Sequence, residues 1–410
     1  MKIALVTYAL NVGGMESFLF GLARSLRNIG MESTFVVTES SGDWHANPLD
    51  EGFVVVSVLP RTWQSSRCHA RRVAAALRGF DVVIMNHSSA AQSAAGLLPE
   101  SAAVIAVLHN NMEEVYRVGL ANQANVDWFV AVGEQVLEEA LKRGAPPQRV
   151  SCIRNGVEVF HEYPKNEGMP GSDAPLRVIY VGRIEHEQKG VFYLPGIVAG
   201  IRDSGVNATF DVIGDGTDSR ALRAQIEQLN LSTVVTFHGA LTHAETMRML
   251  GEADVLIMPS HYEGQPITLF EAMARGVVPL VSKLPGITDS VIAEGQDGFL
   301  VRVGDEAAFT DRLALLAADR ELVGTMSRAA WRSARERFGI DTMTRQYVAL
   351  IEKCSKQRRD GTAGRRTGRL DLPLLGKRSQ FPLFLHDGMR NLRRLASCGR
   401  MEREGDGSGI

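Results

Sequence analysis

Thirteen short apolar runs constrain this chain more than any other feature of its sequence. "KIALVTY", "STFVVT", "FVVVSVL", "DVVIMN", "AAVIAVLH", "WFVAVG" and "RVSCIRN" come first; "LRVIYVGR", "ATFDVIG", "VVTFHG", "ADVLIMP", "VVPLVS" and "GFLV" follow. Most are apolar on consecutive residues rather than alternate ones, the pattern of a strand buried on both faces. Helix-forming stretches lie between several of them, among them residues 15–28, "CHARRVAAALR" and "EQVLEEALKRG". Strand and helix in alternation build a parallel sheet covered on both sides. The rhythm breaks once, at "YPKNEGMPGSDAP", residues 163–175, where Pro, Gly and charge replace the apolar runs. The economical fold is α/β with two doubly wound units in tandem, 1–162 and 176–338, joined by a linker at 163–175. A helix over 339–354 follows, and 355–410 form a basic tail.

A chain of 410 residues suits two domains of ordinary size. With 45% hydrophobic and 22% charged residues, it has apolar material for two cores. The net charge of −2 gives no overall drive toward nucleic acid, but the charge is uneven. Residues 353–403 hold fourteen Lys or Arg against four Asp or Glu, a local net of +10 that leaves −12 on the remainder. Cys68, Cys152, Cys354 and Cys398 are scattered, with no CxxC pair, and suit a reducing compartment. "MKIALVTYAL" runs straight into "NVGGMES" without a small-residue cleavage site, so it reads as a first strand rather than a secretory signal. No apolar run approaches the roughly 18 residues needed to span a bilayer. A cytoplasmic protein is the expectation.

In open parallel sheets, ligands bind beyond the carboxyl ends of the strands. Gly13 and Gly14, His87, His109, Arg183, Gly214 and Glu263 all stand just after a predicted strand. In "VGRIEHEQKG", Arg183 and Lys189 offer a planar fork and a point charge, which suit a diphosphate. Away from a strand end such a pair would be two solvated surface charges. "VIGDGTDS" makes a G-x-G turn at Gly214, but lacks the third glycine of the dinucleotide fingerprint. His87 and His109 are both cleft candidates, and the sequence does not choose between them.

The stretch "SHYEGQPITLFEAMARG", residues 260–276, places Glu263 and Glu271 eight positions apart. Eight helical steps rise about 12 Å, whereas hydrolytic carboxylate pairs lie about 5–9.5 Å apart. Pro266 suits the first turn of a helix, which puts Glu263 in the loop before it and Glu271 more than a turn inside. An acid near a helix start can simply favour the helix dipole. A buried Glu, however, wants a hydroxyl or a cation. The spacing fits two ends of one long ligand better than an acid and a base around one bond.

Taken in order, Gly-Gly after the first strand, "VGR…KG", "GDG" and "PSHYEGQPITLFEAMARGVVPLVS" resemble retaining glycosyltransferases of the GT-B fold, family 4. The resemblance covers about residues 1–350. It implies two Rossmann-like domains facing across a cleft, the first on the acceptor side and the second binding a nucleotide sugar. By this resemblance Arg183 and Lys189 hold the diphosphate, and Glu271 binds the ribose. Glu263 and the backbone N–H groups after it, at Gly264, Gln265 and Ile267, meet the hydroxyls of the donor sugar. His109 contacts donor sugar and phosphate, Gly13 and Gly14 lie near donor phosphate and acceptor, and Gly214 belongs to the donor-binding turns. His109, Glu263, Arg183 and Lys189 form the implied catalytic set. Neither a metal nor a cofactor is implied; the nucleotide sugar is a co-substrate. Three positions depart from the family's common pattern: Pro266 replaces a Gly, Asp289 a Glu, and "HNN" a His-Asp.

The implied activity is hexosyl transfer from a UDP- or GDP-sugar to a glycan or lipid-linked acceptor, in cell-surface polysaccharide or glycolipid synthesis. Two alternatives share the same residues: an epimerase or hydrolase that consumes the donor alone, and a catalytically silent nucleotide-sugar binding protein. Residues 355–410 lie beyond the resemblance. "SKQRRDGTAGRRTGR" reads as disordered. Leu385, Met389, Leu392 and Ala396 recur at helical spacing beside Arg390, Arg393 and Arg394, which suits either an anionic membrane surface on the inner face or a solvated tail.

Overall fold

The computed structural model describes residues 1–10, 14–40, 51–165, 174–371 and 374. Strands β1 (Ile3–Thr7), β2 (Ser33–Val37), β3 (Val54–Ser57), β4 (Val82–Asn86), β5 (Ala103–Leu108), β6 (Trp128–Ala131) and β7 (Val150–Cys152) form one sheet. Its order is β3-β2-β1-β4-β5-β6-β7. Strands β8 (Leu176–Val181), β9 (Ala208–Ile213), β10 (Val235–Gly239), β11 (Val255–Met258), β12 (Val278–Ser282) and β13 (Phe299–Val301) form a second, ordered β10-β9-β8-β11-β12-β13. Among the described residues every strand pairing is parallel. Each of the apolar runs contains one of these strands. The reason is burial: all residues of β1, β4 and β5 are buried between helical layers, so no position along them is free to be polar for solvent's sake. Strand order reverses between β1 and β4 in one unit and between β8 and β11 in the other. Those reversals open the crevices where such sheets take ligands.

The crossing between the units lies ahead of the linker read from composition. Ile153 belongs to the first core and Val157 to the second. Val157 N donates to Phe338 O at 2.9 Å, and Ile340 N donates to Val157 O at 2.8 Å, so the outgoing and returning chains run side by side. Tyr163 already bonds Ser327 at 2.6 Å, and Lys165 Nζ donates to Ala253 O at 2.5 Å, both on the second unit. Pro and Gly mark where backbone leaves regular pairing; they carry no record of where one core gives way to another.

The last helix, Ile340–Arg359, returns to the first unit. Met343, Tyr347, Leu350, Ile351 and Cys354 are buried in that unit's core, with Tyr347 against Phe18 at 5.7 Å between ring centroids. Burying an aliphatic or aromatic side chain stabilises by about 1.5–3 kcal/mol, so this helix is part of the first unit's foundation.

The tail expectation needs correction for residues 355–371, which are docked. Arg358 and Arg366 converge on Asp127, at the foot of β6: Arg358 Nε and Arg366 Nη2 each stand 3.1 Å from Asp127 Oδ2. Arg358 Nη2 bonds Oδ1, and Val104 N donates to Oδ2 at 2.8 Å. Beyond them Thr367 N donates to Asn125 Oδ1 at 2.8 Å, and Asp371 N to Ser93 O at 2.9 Å. Leu370 packs against Ala70, Ala74 and Ala94. Composition counts the arginines as solvated, but a buried carboxylate needs paired charge, and these two supply it. The stretch from Leu385 to Ala396 lies outside the described residues. Among the described residues, no helix is long and apolar enough to cross a membrane.

Candidate active site

On the second unit, β8 ends at Val181 and the chain turns through Gly182 and Arg183. Gly214, just after β9, has φ +132°, and a Cβ there would stand 1.9 Å from Gly182 O. The "GDG" turn is thus a close packing of one loop on another, and it fixes where Gly182 and Arg183 stand. Arg183 is the exposed member of the set, with Nη2 bonded to Gln188 at 2.6 Å and Nη1 3.0 Å from Glu185. The short helix His186–Lys189 ends on Gly190, at φ +64°, where a Cβ would meet Pro259 O at 2.0 Å. Only glycine permits that approach, and it delivers Lys189 to the end of β11. There Lys189 Nζ donates to both carboxylate oxygens of Glu263, at 2.8 and 3.0 Å. Ser260, fully buried, donates to the same carboxylate at 2.7 Å. The Glu263 side chain is 5% exposed and that of Lys189 19%.

The helix Ile267–Ala274 begins directly after Pro266, which is its N-cap residue and contributes no N–H. Glu271 sits just over one turn along it, its side chain 13% exposed. Burial pushes its pKa up to about 7, against the pull of Arg275 and with the push of Glu158. Arg275 Nη1 reaches the backbone O of Glu271, at 3.4 Å. His243 Nδ1 lies 3.9 Å from Glu271 Oε1.

On the first unit, His109 follows β5 and bonds Asn86, the last residue of β4, with Nε2 2.8 Å from Oδ1. The Asn86 amide nitrogen donates to Val6 O and Ile84 O, at 3.1 and 3.2 Å, so its oxygen must face His109. Nε2 therefore carries the proton. Burial, aided by the charge of His87, depresses the His109 pKa to about 3, so the ring is neutral and Nδ1 is a bare acceptor with no partner among the described residues. His87 stands at the β1/β4 reversal with φ +52°, its ring edge-on to Tyr8 at 5.8 Å, and burial lowers its pKa as well.

The two units meet at the Glu263 loop. A Cβ on Gly264 would stand 2.7 Å from Asn110 Cβ and 3.3 Å from His109 O. Asn155 N donates to Gln265 Oε1 at 3.1 Å. The fold thus joins Lys189 to Glu263, and His109 to the residue after Glu263. Ile267 is the first helical residue beyond them, and Gly14 opens the helix Gly14–Asn28. Gly13 lies outside the described residues. Asn86, Ser260, Asn155 and His243 escaped the sequence reading. Asn86 alone had a visible signal, as the polar residue closing an all-apolar run.

Two facing doubly wound units with a cleft lined in this way make the GT-B fold. HepE from Anabaena, solved with UDP, superposes with a TM-score of 0.72 over 86% of this chain and 100% of that one, at 18% identity. The model of glycosyltransferase family 4 matches residues 12–159, and that of glycosyl transferases group 1 matches residues 167–333. The chain belongs to glycosyltransferase family 4. WcaL of Salmonella typhimurium, provisionally named a colanic acid biosynthesis glycosyltransferase, is 30% identical over 216 residues, 51% of this chain and 52% of that protein. The glycogen synthase of Mycobacterium tuberculosis is 30% identical over 211 residues, 51% of this chain and 50% of that one. The chain thus spans about half the length of the curated relatives it matches.

Proposed function

We propose that this chain is a retaining, metal-independent hexosyltransferase. It moves a sugar from a UDP- or GDP-sugar to a glycan or lipid-linked acceptor in cell-surface polysaccharide or glycolipid synthesis. The Lys189–Glu263–Ser260 cluster at the β8/β11 reversal carries this reading, because its loop also touches His109 across the cleft. HepE, solved with UDP and with UDP-glucose, and WcaL support the donor and glycan classes.

An ammonium has three N–H donors, and Glu263 takes at most two from Lys189. The third meets a donor phosphate, with the exposed Arg183 fork beside it and the unpaired N–H groups at the start of the Ile267–Ala274 helix adding partial positive charge. Those groups neutralise the leaving diphosphate in place of a metal. Glu263 accepts a sugar hydroxyl and Glu271 a ribose hydroxyl. His109, neutral with a bare Nδ1, accepts an O–H rather than donating to phosphate. The acceptor oxygen bonds the anomeric carbon on the face the diphosphate leaves. The carbon–oxygen bond to phosphate breaks, and the acceptor's proton passes to a phosphate oxygen of the leaving group. The chain works on the inner face of the membrane, with the basic residues 372–410 against anionic lipid; deleting them removes liposome binding, and binding that survives deletion takes the tail out of this reading.

The deciding experiment is a panel of UDP- and GDP-sugars, scored for binding and for nucleotide release with and without glycan acceptors. Release that requires acceptor is the expected result. Release without acceptor points to a hydrolase or epimerase, and binding without turnover to a silent binding protein. If no donor binds, or if Glu263→Ala performs like the parent, the site is wrong.

A further inference from the structure

His243 opens the helix His243–Glu252, and its place is fixed by the capping box around it. Thr242 Oγ1 accepts from Glu245 N at 3.3 Å, while Thr242 N donates to Glu245 Oε2 at 3.0 Å. From there the imidazole faces Glu271, with 3.9 Å between Nδ1 and Oε1. The His243 side chain is 52% exposed; partial burial, then Arg275, then Arg24 of the first unit lower its basicity. Among the described residues, neither the Glu271 carboxylate nor the His243 ring has a hydrogen-bond partner.

A direct hydrogen bond between imidazole and carboxylate spans about 2.7–2.9 Å, and this gap is too long for one. It is the separation of two groups that each bond one shared oxygen at about 2.8 Å, with roughly a right angle between the bonds. A hydroxyl placed there donates to Glu271 and accepts from Nδ1–H of His243. A carbonyl or phosphate oxygen has no proton for the ionised carboxylate, so above pH 7 a hydroxyl fits the position better.

We propose that His243 and Glu271 together grip one hydroxyl of the donor's ribose, making His243 a specificity residue for ribonucleotide over deoxyribonucleotide donors. The inference rests on the donor-site reading above. Glu271 supplies the acceptor, and His243 supplies the donor that fixes which hydroxyl enters. A nucleotide lacking that hydroxyl leaves a nearly buried carboxylate unsatisfied.

The test measures affinity by calorimetry for UDP, 2′-deoxy-UDP and 3′-deoxy-UDP, with GDP and its deoxy forms in parallel. The parent chain should bind the ribonucleotide about tenfold more tightly than one of the two deoxy forms, a ratio set by the lost hydrogen bonds. His243→Ala should narrow that ratio to about threefold, and His243→Gln, which restores an N–H donor, should recover part of it. A merely structural histidine would weaken all nucleotides alike and leave the ratio unchanged; that result overturns the proposal while the donor site stands. If no nucleotide binds the parent chain, the donor-site reading falls and this inference falls with it.

Discussion

Asp127 and Glu263 are buried to the same degree, with side chains 6% and 5% exposed, and each is held by cations from distant parts of the chain. They differ in what their partners have left to give. Asp127 takes four donors: Val104 N, two from Arg358 and one from Arg366, with both arginine side chains 3% exposed. Glu263 takes Lys189 and Ser260, and Lys189 keeps 19% of its side chain at the surface with Arg183 more exposed still. A carboxylate saturated by buried cations is a clasp. One whose cation reaches water is suited to binding, because a ligand can join the pair without exposing either charge.

Substitution at each carboxylate's cluster can break this comparison, and the largest effect belongs to the clasp. Asp127→Ala removes the buried anion from both guanidinium groups, leaving Arg358 only the exposed Glu100 at 3.2 Å, and should cost about 3–5 kcal/mol of stability, read from urea unfolding followed on the first unit. Donor binding by the folded fraction should stay near the parent's. An unmoved unfolding midpoint would class the cluster with ordinary surface pairs.

Lys189→Ala should act the other way round. Donor affinity should fall by roughly 1.5–3 kcal/mol through loss of a charged hydrogen bond, measured by calorimetry. Glu263 is left with Ser260 alone, but water can reach the vacated ammonium position, so the stability loss should be smaller than that of Asp127→Ala. Equal losses of stability in the two variants would erase the distinction between clasp and binding group.

Smallest over any one pH unit, at no more than about 1.4 kcal/mol, is a pH dependence at Glu271, whose charge is set by burial and by Arg275 and Glu158. Its pKa rises to about 7 in the folded chain, from about 4.3 unfolded. Between those values the folded state holds a proton that the unfolded state has released, so stability should fall as pH rises through that window. Donor binding should run oppositely, strengthening as pH rises through 7, if the ionised carboxylate accepts the ribose hydroxyl as proposed. Glu271→Gln should flatten both profiles; a sloping binding curve in that variant would move the titrating group elsewhere.

Much of this architecture could be read in advance because a parallel strand covered on both faces has no polar positions to blur its signal. Glu263 was visible as a strand-end residue, and Lys189 as the partner of Arg183 in the segment after a strand. Their pairing was not, since it depends on Gly190 backing onto Pro259 O, a contact between segments far apart in sequence. The docking of Arg358 and Arg366 was hidden for the same reason. "NVDWFVAVG" shows an Asp before a strand and gives no sign of which arginines come to it. His243 stood in no quoted motif, and only the capping box of its helix and the neighbouring Glu271 give it a direction.

The returning helix Ile340–Arg359 has a consequence for the order in which this protein can be made. Ribosomes release the first unit's seven strands early, but Phe18 and its neighbours wait for Tyr347, Ile351 and Cys354, and Asp127 waits for Arg358 and Arg366. The second unit, translated later, already has all its strands by Val301. The half that is synthesised first is therefore the half that is finished last, and a truncation meant to isolate it at residue 155 would remove part of its own interior.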